Sequence, residues 1–293
     1  MIVVAGGSGL LGRHLVADLL GAGESVRVLV RDTERAHAML GNGVEVVGGD
    51  VRRREGLDQA VAGARVVISA VHGLVGGRGA GPVEVDERGN GNLIDAAAAA
   101  SADVVLVSVC GASADHPVDL FRAKWAAEQH LLASGTPGTI VRAPAYLETW
   151  LGILAATAGA SGRPLVFGRG DEPVRFVSAV DVAGVVSRAA TDPALRGRML
   201  QVAGEAITLS ALARALQDAR GWHGELRHVP RPLLRALSVL ARPLNPVFAR
   251  ENRVALAMDT GVFGDGPADP FPLGGPTRSI AEVLDGMAVK TSG

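Results

Sequence analysis

The residues of this chain best placed to do chemistry are glycines near its start. Gly6, Gly7, Gly9 and Gly12, with Ser8, Leu10 and Leu11 among them, satisfy both G-x-x-G-x-x-G and G-x-G-x-x-G. Glycine permits a tight turn and lets backbone N–H groups close on a pyrophosphate, whose charge then rests at the positive end of the following helix. The context sharpens the pattern. The loop follows a short apolar run and opens a helical stretch in which Leu11, Leu15 and Leu19 share one stripe. A dinucleotide site is expected here rather than a bare turn.

The residue just past the second strand selects the dinucleotide. A carboxylate there would bind the ribose 2′-hydroxyl of NADH, whereas a cation would neutralise the extra phosphate of NADPH. This chain has Arg31 followed by Asp32. Guanidinium matches phosphate in bidentate geometry, so NADPH is the expected cofactor, with NADH as the alternative served by Asp32. Arg13, inside the first helix, is a second candidate for the phosphate. After the third strand, Asp50 and Val51 suit an adenine contact, and equally an ordinary strand-end turn. Ser69, Ala70 and Val71 supply small residues where the fourth strand would pass the cofactor.

These residues need a sheet to hold them. Strands are expected over 2–4, 25–30, 44–47, 66–70, 104–108 and 139–142, with helices between, the pattern of repeated βαβ units. The fold class is therefore α/β, a Rossmann-type doubly wound parallel sheet. Beyond residue 142 the alternation weakens: a helix is expected over 147–158, extended pieces over 165–167 and 175–177, and a helix from Asp181. Proline then accumulates at 230, 232, 243, 246, 267, 270, 272 and 276, which favours loops and short helices. Residues 1–146 and about 176–203 are assigned to the nucleotide domain; about 147–175 and 204–293 form a small, mostly helical C-terminal substrate cap.

Composition narrows the partners. With 29 Lys and Arg against 30 Asp and Glu, no basic field exists to hold nucleic acid. The run over 94–112 is apolar but carries Asp95 and Asp103, so it suits a helix and a buried strand better than a membrane span. Residues 1–5 have no basic segment before them and run into the glycine cluster, unlike a signal peptide, and a cytoplasmic protein is expected. The seven histidines and the single Cys110 form no metal-ligand spacing, so no metal is expected. Only Lys124 and Lys290 break an otherwise all-arginine basic set.

Taken with Gly91 to Ala97, Ser108, Lys124, Glu128, Arg142-Ala143-Pro144, Phe176-Val177 and Asp181-Val182-Ala183, the chain resembles the atypical, NmrA-like branch of the short-chain dehydrogenases. The resemblance covers nearly the whole length and implies an NAD(P)H-dependent reductase. Ordinary members use Ser, Tyr and Lys, with Tyr four residues before Lys on one helix face. Here Ser108 and Lys124 stand in suitable places, but Leu120 occupies the tyrosine position. The resemblance implies a ribose-binding or catalytic role for Lys124; by itself it would read equally as a surface lysine. Two other groups are candidate proton donors. Tyr146, the only tyrosine, borders the segment that faces nicotinamide in the family, though an aromatic wall is the plainer reading. His116, like His72, lies after a strand on the ligand-binding edge; an exposed loop histidine is the plainer reading of each.

Trp150, Leu151, Phe167, Phe176 and a helix over 233–240 offer apolar surface for a small apolar or aromatic substrate, or else the cap's own core. Three functions fit. The first is an NADPH-dependent oxidoreductase delivering hydride to a carbonyl, quinone or activated alkene. A non-catalytic redox sensor or a non-redox rearrangement in a retained pocket are the others.

Overall fold

The computed structural model describes residues 1–263 and 277–289; Pro267, Pro270, Pro272, Pro276 and Lys290 lie outside the described residues. Strand and helix alternate from the beginning. β1 (Ile2–Ala5) passes through the glycine loop into α1 (Leu10–Gly21), followed by β2 (Val26–Val30), α2 (Thr33–Leu40), β3 (Glu45–Gly48), α3 (Leu57–Val61) and β4 (Val66–Ser69). A π-helical segment, Val83–Gly89, runs directly into α4 (Asn90–Ala99), then β5 (Asp103–Val109), α5 (Asp119–Ala133) and β6 (Gly138–Ala143). Next come β7 (Ala145–Tyr146), α6 (Leu147–Ala158), β8 (Leu165–Phe167), β9 (Pro173–Val177), α7 (Ala179–Thr191) and β10 (Met199–Gln201). The last described elements are β11 (Glu205–Thr208), α8 (Leu209–Arg220), β12 (Arg227–Val229), α9 (Arg231–Leu240), α10 (Pro246–Met258) and α11 (Ile280–Val289).

The chain divides into two compact units, Met1–Ala143 with Val182–Val202, and Pro144–Asp181 with Ala203–Gly293. The first holds a seven-stranded parallel sheet in the order β10-β6-β5-β4-β1-β2-β3. All six expected strands are present. The seventh, β10, is an edge of three residues paired with Ile140 to Arg142, too short for its period to register in sequence. Strand order reverses between β1 and β4, and in such sheets ligands bind outside the carboxyl ends at this switch point. Both sheet faces are covered, which explains runs such as Val66–Ser69 that are buried at every residue. One core cluster joins Val3, Leu29, Val67, Leu93, Leu106 and Ile140 across strands and α4.

Among the described residues the second unit carries five helices and two small sheets, β11-β9-β7 and β12-β8. It is thus less loop-like than its prolines suggest. Thr208 caps α8 by accepting from Ala211 N, and Leu209, Leu212 and Leu216 bury one face of that helix. Trp150 and Phe167 meet edge-on at 6.3 Å. Leu151 and Phe176 are also buried, so these residues build the unit's own core.

Candidate functional site

Each glycine of the loop has its own steric reason. Gly6 has φ +86°, and a Cβ there would lie 2.8 Å from the Ala70 carbonyl oxygen at the end of β4. A Cβ on Gly7 would strike Val28 Cγ1 at 2.4 Å, and one on Gly12 would lie 2.2 Å from Gly6 O and 2.6 Å from Gly7 Cα. These two are packing glycines that seat α1 against β1 and β2. Gly9 differs: its Cβ would meet only Gly6 O, at 3.3 Å, and the residue is exposed. It is the N-cap of α1, contributes no capping side chain, and is followed by a first turn without acidic residues. The helix end is therefore open and uncompensated, as an anion site requires. Arg13 Nε, within that turn, is buried without a hydrogen-bond partner. An open glycine cradle beside an orphaned guanidinium nitrogen fits a pyrophosphate-bearing dinucleotide.

Past β2, Arg31 is exposed, while Asp32 Oδ1 accepts the Arg35 N–H at 2.9 Å and caps α2. Asp50 is held by Arg52, which donates Nε to Oδ1 at 3.0 Å and Nη2 to Oδ2 at 2.5 Å. That pairing, aided by Arg31, holds the Asp50 carboxyl below the usual aspartate range. Arg52 also donates to Gly79 O at 2.6 Å, so Asp50 belongs to a clasp on the loop after β4. Sequence reasoning did not foresee Arg52, one of three consecutive arginines with nothing to single it out. Val51 is buried, and its carbonyl accepts from Asn92 Nδ2 at 2.9 Å.

Lys124 is 3% exposed. Its Nζ donates to Val71 O and Val107 O, each at 2.9 Å, and faces Asp86 Oδ1 at 3.0 Å in an ion pair without the alignment of a hydrogen bond. One ammonium thus joins the end of β4, β5, α5 and the π-helical segment. Asp86 is fully buried, and its Oδ2 accepts the Gly73 N–H at 2.7 Å. Nearby, Ser69 Oγ donates to Asn90 Oδ1 at 2.5 Å, and Asn90 Nδ2 to Asp86 O at 2.7 Å. Neither Asp86 nor Asn90 was singled out by sequence reasoning. The faint signal was polar residues set among Val83, Val85, Leu93 and Ile94.

Ser108 lies in a different network. Its Oγ donates to Glu128 Oε1 at 2.5 Å, and Arg142 holds the same carboxylate through Nε at 2.9 Å and Nη2 at 2.5 Å. The serine proton is therefore directed at a buried ion pair. His116 also departs from the exposed loop histidine that its position suggested. It is 6% exposed, its Nδ1 accepts the Val118 N–H at 3.1 Å, and its ring stacks on Phe121 at 3.9 Å. It thereby ties down the start of α5. Leu120 is half-buried one turn before Lys124, and Ala70 and Val71 are half-buried beside the glycine loop. Tyr146 belongs to the second unit, where it is half-buried, pairs with Val177 and precedes α6. His72 is exposed between Val71 and Gly73.

Among the described residues no group of three or more His, Cys, Asp or Glu could hold a metal, and no helix is long and apolar enough to cross a membrane. The chain is similar to the NAD(P)H azoreductase of Xenophilus azovorans, 29% identical over 293 residues and 98% of each chain. Its fold matches the NADPH-dependent quinone oxidoreductase of Escherichia coli complexed with NADPH, with TM-score 0.78, 20% identity and coverage of 98% and 100%. It also matches the Citrobacter triphenylmethane reductase complexed with NADP(H), at TM-score 0.79, 21% identity and coverage of 97% and 99%. The profile of the NmrA-like family spans residues 1–267, and the chain belongs to that family of atypical short-chain dehydrogenase-type, NAD(P)H-binding reductases.

Proposed function

We propose that this chain is an NADPH-dependent reductase acting on a small apolar acceptor such as a quinone, a carbonyl, an azo compound or an activated alkene. The observation that carries the reading is the open, uncapped start of α1 at Gly9, with Arg13 Nε buried and unpartnered beside it. NADPH is preferred to NADH because Arg31 stands exposed after β2 while Asp32 is engaged in capping α2. The relatives support the acceptor class: an azoreductase, a quinone oxidoreductase and a triphenylmethane reductase.

When bound, NADPH supplies a hydride to the acceptor. The glycine loop and helix end hold the pyrophosphate, and Arg31 with Arg13 takes the 2′-phosphate side. Lys124 acts as a positioning residue: with three oxygen partners it fixes residues 71–73 at the switch point, and a ribose hydroxyl would have to share one of those N–H groups. Ser108, Glu128 and Arg142 keep β5, β6 and α5 in register beside it.

A second reading, a nucleotide-binding sensor without turnover, is favoured by Leu120 in the acid's position and by the fully engaged Lys124. Turnover separates the two. Purified protein should oxidise NADPH in the presence of members of a quinone, azo and ketone panel, followed by nicotinamide absorbance. Micromolar NADPH binding with no oxidation across that panel would refute the reductase and leave the sensor.

A further inference from the structure

We infer that His72 is the residue that gives the reduced acceptor its proton, in place of the missing tyrosine. This deepens the reductase reading above and rests on it. His72 is the third residue past β4, beside the switch point with β1, and Ala70, two residues before it, lies against Gly6 of the cofactor loop. Its backbone is clamped on both sides. The preceding carbonyl, Val71 O, accepts from Lys124 Nζ at 2.9 Å, and the following N–H, of Gly73, donates to Asp86 Oδ2 at 2.7 Å. An exposed imidazole is thus carried on a fixed stretch of backbone at the ligand-binding edge, where loop residues ordinarily wander.

The other candidates in this unit are engaged elsewhere. His116 is buried with Nδ1 on Val118 N–H, Ser108 donates to Glu128, and the Lys124 ammonium has three oxygen partners. The charged groups facing His72 are Lys124 from α5 and Asp86 from the π-helical segment. Crowding by protein atoms pushes the imidazole below the ordinary histidine value; Asp86 opposes this and Lys124 reinforces it. The side chain is exposed although protein atoms crowd around it. The chemistry balances simply. A carbonyl, azo or alkene acceptor gains the hydride at one atom of its double bond and the imidazolium N–H proton at the other; a quinone gains the same hydride and proton across its conjugated system, and the proton goes to the phenolate oxygen to leave a hydroquinone. Neutral imidazole remains and is reprotonated by water.

The test uses the whole chain and His72→Gln, an exposed substitution. NMR titration of nucleotide-free protein, with the His72 signal assigned by its loss in the variant, should give a pKa below the ordinary histidine value. The kcat for a quinone should fall as pH rises through the His72 pKa of the NADPH-loaded protein. His72→Gln should reduce kcat by about tenfold or more, abolish that limb and leave the Kd for NADPH unchanged. A variant that keeps the unaltered pH profile, or loses NADPH binding along with turnover, overturns the proposal. If the unaltered chain oxidises no NADPH, the reductase reading fails first and the proton donor falls with it.

Discussion

Ala replacements at Gly9 and Gly12 should damage different properties, although both glycines belong to one motif. At Gly12 the new Cβ lies 2.2 Å from Gly6 O, 2.6 Å from Gly7 Cα and 2.8 Å from Gly7 C. All three are backbone atoms, so relief requires α1 to separate from the loop. Overpacking of this kind costs about 1–3 kcal/mol. At roughly 2–4 °C per kcal/mol, the melting temperature should drop by about 2–12 °C. At Gly9 the Cβ meets only Gly6 O, at 3.3 Å, and φ is −79°, which alanine adopts freely. The cost is the weaker N-cap, about 1 kcal/mol or less, so the fold should melt within about 4 °C of the unaltered chain. Yet the methyl stands at the open face where phosphate oxygens must approach, and the Kd for NADPH should rise by about tenfold or more, or ~1.4 kcal/mol. Thermal melts and calorimetric titration with NADPH read the two effects separately. A well-folded Gly9→Ala protein that binds NADPH unchanged would show that this loop is not the cradle. An unchanged melt for Gly12→Ala would remove the packing reason for the third glycine.

Three further outcomes follow from the same geometry. Arg31→Ala should weaken NADPH by about tenfold and leave NADH unchanged, since a charge-assisted contact is worth ~1.5–3 kcal/mol; equal losses in titrations with both nucleotides would sink the 2′-phosphate assignment. Lys124→Met should lower stability to denaturant by about 3–5 kcal/mol because it strands the buried Asp86 carboxylate, and adding Asp86→Asn should recover much of the loss; a double variant no more stable than the single one would disprove the coupling. Burial raises the Asp181 carboxyl above its usual value, against a lowering by the Arg278 N–H at 2.9 Å. A raised folded pKa means that its contribution is present in acid and lost as pH rises through that pKa. Asp181→Asn, whose amide oxygen can still accept from Arg278, should therefore melt higher at neutral pH, with a smaller gain at acid pH. A lower melt at neutral pH would reverse the sign.

The parts legible in sequence were those written in local chemistry. Glycine at a position with φ +86°, β-branched runs buried on both faces and a leucine stripe each leave a mark within a few residues. Residues defined by their partners leave none. Asp86 lies 38 residues before Lys124, on a π-helical segment that no hydrophobic period announces, and only the fold brings the two together. The Ser108 and His116 positions were correct for their strands and loops, but which way each side chain is satisfied depends on Glu128 and Phe121 across the fold. β11 and β12 left no mark because, unlike the equally short β1 and β8, their sequences Glu205–Thr208 and Arg227–Val229 mix charged and polar residues with apolar ones and form no apolar run.

Leu120 and Lys124 change together in meaning. In the ordinary arrangement the lysine lowers the pKa of a tyrosine one turn earlier; with leucine there, no phenol remains to be tuned. The ammonium instead binds the carbonyls of Val71, just past β4, and of Val107, within β5, and pairs with Asp86, so that its charge stabilises the backbone that presents His72. On the reductase reading, this suits the acceptor class. A ketone leaves a strongly basic alkoxide that needs an acid in place as hydride arrives. A quinone leaves a phenolate, whose weaker basicity is within reach of a water-exposed imidazole acting as the acid. The chain should therefore discriminate among acceptors by the basicity of the oxygen produced, with quinones reduced faster than simple ketones at neutral pH. That gap should narrow as acid converts more of His72 to imidazolium.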